Sequence, residues 1–169
     1  MPKLVSLSTD KDVYLGIDPG KNGGFAVIKG QTVEWFPMPE TERDTWDLIR
    51  QFSGVTAGCC IERIVPNLWG KAKSSVAKLY ANYMALRMAL VAAGIPFDDI
   101  RPVEWIRALG ISPRKKSETP DQWKNRLRAK AQQLFPTLSL WKEPKYKQLQ
   151  VCDAILLADF CRRRYERRP

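Results

Sequence analysis

Histidine is missing from the whole 169-residue chain. That absence excludes Ser-His-Asp triads, Cys-His pairs and the histidine-based zinc hydrolase motifs. Proton transfer must then fall to carboxylate, lysine or a metal-activated water. Cysteine is sparse: Cys59, Cys60, Cys152 and Cys161 form no Cys-x-x-Cys pair or other zinc spacing, and they read as reduced core thiols. No apolar run is long enough to cross a bilayer. The segment from Met1 to Asp12 carries acids and has no apolar core of a secretory signal, so the expected setting is intracellular, with no membrane partner. Acids are also in deficit, 18 against 28 lysines and arginines, which gives a net charge of +10 and a pI near 9.6. Such a balance points to an anionic polymer such as nucleic acid, a merely soluble basic protein being the alternative.

Against that basic background, three acids stand alone in apolar surroundings. Asp18 ends the strand-like run from Val13 and precedes a tight turn through Gly20, Asn22 and Gly23. By itself it is either a turn former bonding its own backbone or a functional carboxylate. Glu62 is the acid of Cys59–Val65, and Asp153 is the acid of the apolar helical stretch Val151–Ala158. Isolated carboxylates in separate apolar elements suggest a divalent metal site, which would also reconcile core acids with phosphate.

Periodicity and punctuation give the order of elements. Strands are expected over about 14–18, 24–29 and 32–36 as an antiparallel meander, then a helix over 41–52 and a fourth strand reaching Glu62. A long helix follows from about Ser74 to Ala93, closed by Gly94, with a wide apolar face that includes Tyr80, Tyr83, Met84 and Met88. A fifth strand over 95–101, a short helix from Pro102 to Leu109, a charged helix from Pro120 to Phe135 and a last helix from about Lys147 to Arg164 complete the chain. The polar stretch 112–119 reads as mobile without a ligand. The pattern predicts one α/β domain over 1–169, a mixed five-stranded sheet flanked by helices, with 1–12 and 166–169 as flexible ends.

Four motifs in this order carry a family resemblance: Gly16-Ile-Asp-Pro-Gly20 on the first strand, Ile61-Glu62 ending the fourth, Lys116-Ser117 after a glycine-ended short helix, and Cys152-Asp-Ala154 in the last helix. Together they resemble the RuvC-like Holliday junction resolvases of the RNase H-like superfamily, over nearly the whole chain. The first motif alone also resembles the phosphate loop of the actin and sugar kinase superfamily, but the chain lacks room for a second lobe. The resemblance implies that Asp18, Glu62 and Asp153 are metal ligands for magnesium or manganese, two ions per site. The chemistry agrees, since magnesium is a hard cation that takes carboxylate oxygens and keeps waters. Where the family usually places a further acid or histidine one turn before the last Asp, this chain has Gln150, on nearly the same helical face. Lys147 or Glu143 are further contributors to consider, whereas Asp159 reads as a solvated or pairing residue.

The resemblance also implies a lysine supporting cleavage at Arg114, Lys115 and Lys116, of which Lys116 has the matching context; a solvated basic loop is the alternative. Arg107, Lys124, Arg126, Arg128 and Lys130 are expected to extend a basic surface for phosphate contacts. The arginines of the terminal stretch Arg162–Arg168 do the same, or form a frayed helix end. The loop after Glu62 supplies Lys71 and Lys73 and the candidate base-stacking wedge Trp69, unless that Trp is tucked onto the core. Trp105 reads as packing. The expected function is a metal-dependent endonuclease resolving four-way DNA junctions by paired symmetric nicks, acting as a two-fold dimer through the long helix. The helicase partner is unknown. An RNase H-like nuclease for other branched DNA or RNA, and a catalytically silent junction binder, are the alternatives.

Overall fold

A computed structural model describes residues 11–66 and 73–167. The element order is β1 (Val13–Asp18), β2 (Gly24–Lys29), β3 (Thr32–Pro37), α1 (Glu42–Ile49), β4 (Thr56–Glu62), α2 (Lys73–Ala92), β5 (Phe97–Ile100), α3 (Pro102–Ala108), α4 (Pro120–Leu134) and α5 (Lys145–Glu166). The five strands form one mixed sheet in the order β3-β2-β1-β4-β5, antiparallel from β3 to β1 and parallel from β1 to β5.

Local chemistry explains the ends. The β1–β2 turn is closed by Gly23 N–H on the Gly20 carbonyl at 2.8 Å, and the β2–β3 turn uses Gly30 at φ +55°, a conformation that side chains disfavour. A reciprocal cap starts α4: Thr119 Oγ1 accepts from Gln122 N–H at 3.2 Å and Gln122 Oε1 accepts from Thr119 N–H at 2.9 Å.

Strand alternation sends Leu15, Ile17, Cys59 and Ile61 to one face, where they pack with α1 and α2. The opposite face is covered by α5, α4 and α3. Helix α5 crosses β1 at Gly16, where a Cβ would fall on the Ala154 carbonyl oxygen and the Ala158 backbone nitrogen. Only a glycine permits that approach, which sets the height of Asp153 over the sheet. All residues of α5 from Val151 to Cys161 are buried. The four cysteines are free and buried, as expected of core thiols.

Some expectations change here. The 112–119 stretch is pinned by Glu118, whose carboxylate accepts from Arg126 at 3.0 and 2.9 Å and from Lys115 N–H at 3.2 Å, while its carbonyl accepts from Arg114. At the end of α5 the helix runs on to Glu166, with Arg162 and Arg163 on Asp159 and Arg164 on Asp98 at 3.1 Å; Arg168 lies outside the described residues. The apolar stripe of α2 divides. Tyr83 is 3% exposed and donates its hydroxyl to Asp99, whereas Met84 and Met88 face solvent at 41% and 66%.

Candidate active site

Asp18 and Glu62 arrive side by side because β1 and β4 are parallel neighbours in register, Ile17 opposite Ile61, and each acid follows its paired isoleucine. Both belong to the strand positions that alternate toward α5. Asp153, on α5, completes the group, and its charge acts on both strand acids.

Each carboxylate has a defined partner. Asp18 Oδ1 accepts the Gly20 N–H at 3.1 Å, so this residue is a turn former and a member of the cluster at once. The turn also depends on Gly23, where a Cβ would collide with the backbone and carboxyl carbon of Asp18. Glu62 Oε2 accepts the indole N–H of Trp105 at 3.1 Å. Asp153 pairs with the Lys124 ammonium through Oδ2, and the Cys152 thiol approaches its Oδ1 at 3.4 Å.

Electrostatics records the crowding. Burial, followed by the charge of Asp153, raises Asp18 from 3.8 to about 6. Burial, then Asp18 and Asp153, raises Glu62 from 4.5 to about 8. Burial works against the Lys124 ammonium, but Asp153 outweighs it and raises the lysine pKa. The site therefore holds more negative charge than its lysine offsets. The donor set is all hard oxygen, which suits magnesium or manganese. As the side chains stand, no three or more Cys, His, Asp or Glu side chains among the described residues close into a cage around an ion.

Lys124 is the residue that sequence reasoning misplaces. The expectation puts it on an outer basic surface, yet it points to the acids; Leu127 and Ala131, three and seven positions later, are the buried face of the same helix. Arg126 and Arg128 also leave the expected surface: Arg126 braces Glu118, and Arg128 donates to Gln148 Oε1 and lies 6.0 Å from the Trp141 ring centroid. Trp105, read as packing, is buried at 1% and also serves Glu62. Lys116 is exposed and has no ion pair or hydrogen bond among the described residues, and Lys115 and Arg114 share its exposed loop. Gln150 is half-buried one turn before Asp153. Glu143 and Lys147 pair with each other at 3.0 Å. Of the two readings of Asp159 the pairing one holds: it is 1% exposed, and Arg162 and Arg163 each lie 2.7 Å from its carboxylate. Trp69, Lys71 and the side chain of Lys73 lie outside the described residues.

No family model and no curated protein matches the sequence. Among solved structures, Thermus thermophilus RuvC in complex with a Holliday junction substrate superposes with a TM-score of 0.56 at 15% identity, covering 90% of this chain and 92% of that one. The chain has the RuvC fold. A second Thermus thermophilus RuvC structure agrees, with a TM-score of 0.53 at 15% identity over 90% of this chain and 93% of that chain. The RuvC fold is an RNase H-like one, so the expected fold class holds, with its mixed five-stranded sheet and flanking helices. Among the described residues no helix is long and apolar enough to cross a membrane.

Proposed function

We propose that the chain is a metal-dependent, structure-selective DNA endonuclease that resolves four-way junctions by paired symmetric nicks, leaving 5′ phosphates and 3′ hydroxyls. The observation that carries this reading is the meeting of Asp18, Glu62 and Asp153, from three separate elements, at one end of a RuvC-type sheet. The RuvC neighbour bound to a Holliday junction substrate supports branched DNA as the ligand, and the net charge of +10 supports a polyanion.

Asp18, Glu62 and Asp153 would hold one or two magnesium or manganese ions, which when bound supply water activation and charge neutralisation at the leaving 3′ oxygen. The chain's own groups do the positioning. Gly20 N–H fixes one oxygen of Asp18, and the Trp105 indole fixes one oxygen of Glu62. Lys124 is the cation nearest Asp153, and it stabilises negative charge developing on the phosphate better than a mobile solvent cation does, because it is already in place. Gln150 contributes an amide oxygen on the Asp153 face of α5, without charge. The loop residues Trp69, Lys71, Lys73, Arg114, Lys115 and Lys116 are proposed DNA contacts. A four-way junction offers two equivalent strands, so a two-fold dimer is the matching assembly, and the exposed Met84, Met88 and Val91 of α2 are its proposed contact.

The test is incubation with an immobile four-way junction and a matching linear duplex, in magnesium, manganese or chelator, beside Asp153→Asn. Symmetric nicks confined to the junction, dependent on metal and lost in the variant, are the expected result. Cleavage of flaps or hybrids instead would reassign the substrate, and tight binding with no nicks would mark a silent junction binder.

A further inference from the structure

An open cavity of about 450 Å³ lies between the end of α3, the loop after it and the start of α4, within the ~300–1,000 Å³ range of small-ligand sites. Its walls are apolar: Val103 and Ile106 from α3, Pro113 from the loop, and Trp123 from α4. Arg107 and Arg114 complete the lining. The Arg107 guanidinium has no ion pair or hydrogen bond among the described residues, and the Arg114 guanidinium donates to the Glu118 carbonyl, with the Glu118 carboxylate close enough to feel its charge. The slot is therefore bordered by two guanidinium charges, of which Arg114 lies beside the Glu118 carboxylate and Arg107 has no acid against it among the described residues. The Trp123 ring is itself held in place, since the Arg126 guanidinium sits 4.6 Å from its centroid.

A second, polar cavity of about 540 Å³ adjoins the first through Ser112 and is lined by Lys115, Ser117, Gln122 and the Arg126–Glu118 ion pair. An aromatic compartment thus opens onto one bearing hydroxyls and cations, in which Lys115 and the neighbouring Arg114 remain in excess over the single acid, Glu118, that Arg126 already pairs. Nucleobases stack on indole rings whatever their sequence, and lysine, arginine and serine are the groups that bind phosphate. The location also fits. The same two helices that wall the cavity carry Trp105 to Glu62 and Lys124 to Asp153, so Trp123 and Lys124, adjacent in sequence, serve the cavity and the acids respectively.

An apolar side chain from a protein partner would fill the slot but leave Arg107 uncompensated, whereas a nucleotide satisfies both parts. Resting on the nuclease reading above, we infer that the paired cavities are a subsite for one unpaired nucleotide of the DNA substrate, its base against Trp123 and its phosphate toward Arg114 and Lys115.

The experiment uses the full chain in chelator with a single-stranded oligonucleotide carrying 5-iodouracil, and separately a four-way junction carrying it at the base pair next to the branch point. Photo-crosslinks are mapped by mass spectrometry for the natural chain and for Val103→Trp. Val103 is 49% exposed, so a large ring there fills the cavity mouth without entering the core, and thermal unfolding checks that. The expected result is a crosslink at Trp123 that falls by about tenfold or more in Val103→Trp, the size of one lost stacking contact. Crosslinks that map elsewhere, or a Trp123 crosslink unchanged by Val103→Trp, would overturn the inference. Cleavage is scored on the same junction in magnesium: a pocket-dependent crosslink without nicking would sink the resolvase reading and leave the subsite standing, and nicking without that crosslink would do the reverse.

Discussion

Asp153 and Asp159 ride on the same buried helix, and both are paired with basic side chains, yet they are built for opposite ends. Asp159 is 1% exposed and has two arginines of its own helix, with Arg162 hydrogen-bonded to Oδ1 and Arg163 at 2.7 Å from Oδ2. Its charge is over-compensated locally. Asp153 has a single lysine, brought from α4, and it shares its neighbourhood with Asp18 and Glu62. Its charge belongs to a cluster still in deficit. A buried acid is thus a structural residue where its partners close the balance, and a functional one where they leave it open.

The sharpest way to break that contrast is to neutralise each acid in turn. Asp153→Asn is expected to lower junction cleavage by at least about 100-fold while the protein stays folded. Asp159→Asn is expected to spare cleavage and cost stability. Breaking a buried pair costs about 3–5 kcal/mol, but Arg162 and Arg163 are 26% and 41% exposed and can turn to solvent, so about 2 kcal/mol is the expected loss. Thermal unfolding and cleavage rates on both variants decide it, and an Asp159→Asn protein that is stable but inactive would erase the distinction.

The basic partners offer the next comparison. Lys124→Ala is expected to reduce the cleavage rate by about 100-fold, and Lys116→Ala by less than about 3-fold, since an exposed lysine contacts at most one phosphate. A larger loss from Lys116→Ala than from Lys124→Ala would place the working cation in the loop and not on α4.

The charge deficit also makes stability depend on pH. In the metal-free protein Asp18 is raised to about 6 and Glu62 to about 8, so the folded form binds protons more tightly than the unfolded chain. That contribution is complete below the ordinary carboxylate range and is lost as pH rises through those two values. Unfolding in chelator should show the melting temperature falling from about pH 5 to about pH 8, by the equivalent of a few kcal/mol, since each tenfold gain in proton affinity on folding is worth ~1.4 kcal/mol. Glu62→Gln should flatten most of that slope, and saturating magnesium should oppose it, since a ligand that binds the folded form stabilises it. A slope unaffected by either would show that the acids do not face one another as described.

The legible parts of this chain are those whose signal is local. Alternation in β1 and β2, Gly30 in the turn, and the Thr119 and Gln122 cap of α4 are each read within a few residues, and the strands and helices fall close to their expected bounds. The placement of Asp18 beside Glu62 follows from the parallel pairing of β1 and β4, which the sequence alone suggests only through resemblance. Lys124 escapes notice because a lysine on a basic helix looks solvated; its spacing from Leu127 and Ala131 is the available sign that it lies on the buried face. Judging Asp159 by its angle around the helix supposes that α5 has a wet side. The run Val151–Cys161 is buried all round, and its near lack of polar residues is the warning.

A smaller effect than at Asp153 or Lys124 is expected at Trp105, the residue that joins packing to the site. Its ring is 1% exposed in the core beneath α3, and its N–H meets Glu62. Trp105→Phe keeps most of the ring and removes the donor, so Glu62 would keep its place less firmly. Partners that orient a metal-binding carboxylate typically contribute about 10- to 100-fold; with one of two oxygens affected, about tenfold is expected, read as a higher magnesium concentration for half-maximal cleavage and not as a lower rate at saturation. A purely packing role would instead lower the melting temperature and leave the magnesium curve where it was. The two readouts separate because the indole N–H acts on the charge balance of the cluster and the ring acts on the core.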